Sequence, residues 1–93
     1  MTPEVLEGAL VELAQEAGFE VRVARGGVPD ADLPIASGVC RVRDSVWVVL
    51  SARDSLEERI SALSRALVVH APEFLEGRYL PPAVRECLAS AAH

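Results

Sequence analysis

Lysine and asparagine are absent from the 93 residues, and all nine basic side chains are arginine. The missing amine excludes Schiff-base catalysis and the G-x-x-x-x-G-K phosphate loop. The arginine bias is the kind of usage that accompanies a high-GC, bacterial genome. No basic stretch occurs in a chain of net charge −5, so the electrostatic footprint of a nucleic-acid-binding protein is missing. No apolar run approaches the length of roughly 18 residues that a membrane span needs. The chain opens on Thr2, Pro3 and Glu4 instead of a basic segment before an apolar core, and a soluble, cytoplasmic protein is the expectation. The two cysteines, Cys40 and Cys87, have no C-x-x-C or paired Cys/His spacing, which excludes a zinc framework and a disulfide scaffold. Each has apolar sequence neighbours, and both are expected to be buried and structural. No metal or other cofactor is implied.

What is present suits one domain over residues 1–93, with 51% hydrophobic and 25% charged residues. Charge is unevenly placed. Glu4, Glu7, Glu12, Glu16 and Glu20 face no base within the first twenty residues, whereas the other nine acids are balanced by the nine arginines that follow. The excess therefore belongs to the first element, where a solvated helix face is expected and a docking surface for a basic partner is the alternative.

Thr2 as N-cap, Pro3 in the first turn and the stripe Leu6, Ala9, Leu10, Leu13, Ala14 and Ala17 predict a helix from Pro3 to Ala17, stopped at Gly18. The period then changes to two. Residues 19–25 read as a strand with Phe19, Val21 and Val23 on one side. The segment 26–38, with two prolines and three glycines, has no period and is long for a compact domain. Residues 39–50 form a hairpin around Asp44-Ser45. Ser55 and Glu58 have capping-box spacing and open a helix to His70, with Leu56, Ile60, Leu63 and Leu67 inward. Pro72 ends that helix, 72–80 connects, and Pro81-Pro82 begins a last helix with Val84, Cys87, Leu88 and Ala91 inward. The class is α+β: a small antiparallel sheet of two or three strands packed with three helices in the order α-β-β-β-α-α.

Catalytic constellations are sparse. The strand-then-helix order from Val46 to Val69 is similar to the core of zincin-type peptidases, but the helix reads Ile60-Ser61-Ala62-Leu63-Ser64-Arg65-Ala66-Leu67, without H-E-x-x-H. A metal site would have to gather His70, His93 and a cysteine from distant positions. A thiol nucleophile would need Cys40 or Cys87 beside His70 in a positive environment, and alternation turns Arg41 and Arg43 away from Cys40. Asp30 and Asp32 lack the rest of a calcium loop.

The hairpin is apolar on both faces. Cys40, Val42, Trp47 and Val49 share one face, and Val39, Arg41, Arg43, Val46, Val48 and Leu50 share the other. An antiparallel sheet with one wet face normally alternates apolar and polar residues. The second face, aliphatic with arginine beside it, is the expected interface with another protein, and self-association as a homodimer is the expected form. Function is then a small non-catalytic interaction module, adaptor or regulator, without nucleic-acid or membrane partners. The alternative is a small enzyme or ligand-binding protein that uses the 26–38 loop as a lid over a Cys/His site.

Overall fold

The structure is a computed structural model and describes residues 1–24 and 38–92. The elements run α1 (Pro3–Glu16), β1 (Glu20–Ala24), β2 (Gly38–Val42), β3 (Ser45–Ser51), α2 (Leu56–His70), α3 (Pro72–Glu76) and α4 (Pro82–Ala91). The α+β class and the element order agree with the expectation, with α3 added inside the segment read as a connector. Residues 26–37 of the 26–38 segment, the lid of the alternative reading, and His93, one of the distant residues that a metal site would have to gather, lie outside the described residues.

Helix boundaries follow local chemistry. The Val5 N–H donates to Thr2 Oγ1 at 3.3 Å at the start of α1. Gly18, at φ 94°, takes the chain out of the helix, a conformation that costs a side chain with Cβ about 1–2 kcal/mol. At α2 the capping box is complete: the Glu58 N–H donates to Ser55 Oγ and the Ser55 N–H donates to Glu58 Oε1, each at 3.1 Å.

The sheet order is β1-β3-β2 and its pairing is mixed. β2 and β3 are antiparallel, as a hairpin requires, but β1 runs parallel to β3, with Val21 beside Val48 and Val23 beside Leu50. The expected all-antiparallel sheet is corrected at this strand. Period-two alternation predicts a strand and its faces but carries no information on direction.

The hairpin turn also differs from expectation by one position. Val42 pairs with Ser45, so Arg43 and Asp44 form the loop in place of Asp44-Ser45. Arg43 sits at φ 57°, where short hairpin loops usually place glycine or asparagine. Moving the turn by one residue shifts the register by two, so the grouping of the strands' side chains into faces is unchanged.

One layer of helices packs on one face of this sheet. α2 is the central helix: it contacts α1, α3 and α4 as well as β3 and β2. Leu10, Leu13 and Ala14 of α1, Leu63, Ala66 and Leu67 of α2, and Val84 and Leu88 of α4 form one buried core with Val48 and Leu50 of β3 and with Phe19, and α2 is the helix that lies against β3. Two arginines tie the layer together. Arg59 of α2 pairs with Glu7 of α1 at 2.7 Å, and Arg78 pairs with Glu16 at 2.6 Å while its guanidinium lies 5.2 Å from the Phe74 ring centre. Part of the acidity of the first helix is thus neutralised within the chain.

Candidate functional site

The six hairpin residues expected at an interface are split by the sheet. Val48 and Leu50 are closed within the chain's own core, at 0% and 2% exposure, and Val46 is half-buried against it. This corrects the expectation for Val48 and Leu50, because a side chain closed off in its own chain's core has no surface left for another. Val39, Arg41 and Arg43 remain at the surface, the first two on β2 and the last in the turn.

Among the described residues, no helix packs on the opposite face. Register places two rows across it: Glu20, Trp47 and Cys40 form one, and Arg22, Val49 and Gly38 form the next. Trp47 and Val49 are only partly buried, and Glu20, Arg22 and Cys40 are exposed. Arg22 Nη2 meets Glu20 Oε1 at 2.8 Å, and the Arg22 guanidinium lies 5.2 Å from the centre of the Trp47 ring. Such a cation–π contact contributes about 0.5–1 kcal/mol where it is exposed. The indole thus sits on the middle strand of the face, beside the guanidinium of Arg22.

A concavity of about 550 Å³ lies between the start of α1 and the helices α2 and α4, with Leu6, Ile60, Ser64, Arg65, Glu86 and Cys87 among its walls. Ser64 is 1% exposed, and its hydroxyl has no hydrogen-bond partner among the described residues. That oxygen is shut off from the groove's solvent, so a molecule lying in the groove would not meet it. Cys87 is half-buried there. Burial and then the negative charge of Glu86 push its thiol above the ordinary range, which keeps it protonated and poorly nucleophilic at neutral pH.

The cysteines were expected to be buried. Cys40 is instead exposed, because β2 is a margin of the sheet and its residue 40 points to the helix-free face. His70 is exposed at the end of α2, where its ring meets Phe19 edge-on at 6.5 Å between centres. Among the described residues, no group of three His, Cys, Asp or Glu side chains is placed to hold a metal ion. None of the described helices is long and apolar enough to cross a membrane.

Comparison with protein families, curated proteins and solved structures finds no match to this chain. The surface chemistry of the chain is therefore the basis for a functional reading.

Proposed function

We propose that this protein is a small non-catalytic interaction module that self-associates through the helix-free face of its sheet. The observation that carries this reading is the position of Trp47. It is the chain's single tryptophan, and it lies partly exposed on the middle strand, on a face that carries no helix among the described residues, next to Val49. Tryptophan supplies a large contact area at small entropic cost and is enriched at the centres of protein interfaces. The neighbouring Val48 and Leu50 already have their partners in the core, so the remaining apolar surface of β3 is the part available to another molecule.

Light scattering behind a sizing column, over a hundredfold range of loading concentration, tests the reading. The expected result is a molar mass that rises from 9.9 kDa towards twice that value as concentration increases. Trp47→Glu is expected to hold the chain at the monomer mass with an unchanged circular dichroism spectrum. A wild-type chain that stays monomeric throughout, or a Trp47→Glu chain that dimerises as well as wild type, overturns it.

A further inference from the structure

The helix-free face has a pattern that matches itself under rotation, and we infer that its occupant is a second copy docked about a two-fold axis that runs across the strands, between the Trp47 and Val49 rows. This inference rests on the interaction-module reading above and specifies its geometry. The two rows, Glu20–Trp47–Cys40 and Arg22–Val49–Gly38, are adjacent same-face levels of the sheet. A two-fold lying between two stacked faces, perpendicular to the strands and midway between these rows, lays each strand antiparallel over its own copy. Each row then lands on the other.

Three complementary pairs follow. Glu20 faces the partner's Arg22, so acid meets base at two symmetric points. Trp47 faces the partner's Val49, a large side chain against a smaller one. Cys40 faces the partner's Gly38, which offers no side chain to clash with. The other face-to-face two-fold, along the strands, lays β1 over β2 of the copy and sets Glu20 against the partner's Cys40. That arrangement leaves the two charges with only each other as partners. The cross-strand axis alone sets opposite charges against one another between the copies, and this favours it.

Net charge is consistent with this choice. The whole chain carries −5, which opposes association, yet Glu20 and Arg22 cancel on this face. In the free chain the two residues pair with each other while about half exposed, at 47% and 59%, so exchanging that pair for an intermolecular one gives up little. Aligned sheets pack about 10 Å apart at roughly −30°, and over only two central rows such an angle keeps the named pairs opposed. The face measures roughly 15 by 17 Å, from strand spacing and rise. It is small beside the roughly 800 Å² per partner of a standard interface, so the dimer is weak and depends on concentration.

Charge reversal on the full chain tests the geometry, with dissociation constants from sedimentation equilibrium. Glu20→Arg alone and Arg22→Glu alone each place like charges opposite one another, and each is expected to weaken the dimer about tenfold or more. The double variant Glu20→Arg/Arg22→Glu restores opposite charges across the axis and is expected within about threefold of wild type. Mixed with wild type, the double variant is expected to sort into homodimers, since both crossings of a mixed pair set like charges together. Single reversals that leave the dimer intact, a double variant as weak as the singles, or free mixing with wild type would each overturn the two-fold. If Trp47→Glu still dissociates such a dimer, the sheet-face reading stands while this geometry fails. A wild-type chain that never dimerises overturns both.

Discussion

Arg59 donates its Nε–H to Glu7 Oε2 at 2.7 Å across 52 positions of sequence, and this contact locks α2 to α1. The two side chains are 24% and 22% exposed, so solvent screens them only in part. Arg78 and Glu16 make an equally short contact, but at 40% and 50% exposure. Exposed ion pairs typically contribute about 0–1 kcal/mol, and hydrogen bonds to charged groups in drier settings about 1.5–3 kcal/mol. Arg59→Met is therefore expected to lower unfolding free energy by about 1–2 kcal/mol and Arg78→Met by less than about 1 kcal/mol. Urea denaturation of the two variants measures the difference, and equal losses would show that burial does not separate the pairs.

Val48 and Leu63 belong to the same core, and both are fully buried. Leu63→Ala is expected to cost about 2–5 kcal/mol, a large part of the stability of a domain this size. Val48→Glu places a carboxylate in the closed core without a counter-charge and is expected to abolish folding. Thermal melts followed by circular dichroism check both. A folded Val48→Glu chain would contradict the placement of the β3 faces.

The two thiols should react differently in the native protein. Exposed Cys40 is expected to be alkylated by iodoacetamide at neutral pH within the time that half-buried Cys87 remains largely intact. Because burial and Glu86 raise the Cys87 thiol, its alkylation should have a pH midpoint above the ordinary thiol range of about 8.5, and Glu86→Gln should move that midpoint down. The sign for stability follows. Above about pH 8.5 the unfolded chain loses this proton before the folded chain does, so Cys87 makes the fold less stable as pH rises, and Cys87→Ala reduces that decline. Mass spectrometry of alkylated peptides reports each site. Equal rates at Cys40 and Cys87 would refute the difference in exposure.

The features legible in the sequence are those completed within one turn of chain. Thr2-Pro3 and Gly18 bound α1, Ser55 with Glu58 opens α2, and Pro81-Pro82 begins α4, because each cap is made between residues a few positions apart. The five-residue α3 has Pro72 and Glu73 as a start signal but is too short to display a helical period. The sheet required tertiary information. Alternation separated Trp47 and Val49 from Val48 and Leu50 correctly, yet both sets are apolar and neither alone shows which meets the helices. The deciding signal lies in β1: Glu20 and Arg22 share a face with Trp47 and Val49, and charged residues mark that face as the one turned to solvent. It becomes readable once β1 is known to lie parallel beside β3, a pairing about 27 positions apart that no local pattern encodes.

That long-range pairing has a consequence for synthesis. Among the described residues, every sheet partner of β1 is in β3, so when Val21 has been made its neighbour Val48 has not. At about 5–20 residues per second, the ribosome needs about one to five seconds to supply it. During that interval β1 is an unpaired strand bearing Val21 and Val23, the kind of segment that templates aggregation. Glu20 and Arg22 interrupt its apolar pattern at every second position. Their charges accordingly act as gatekeepers for a nascent strand before the finished sheet gives them a neighbour.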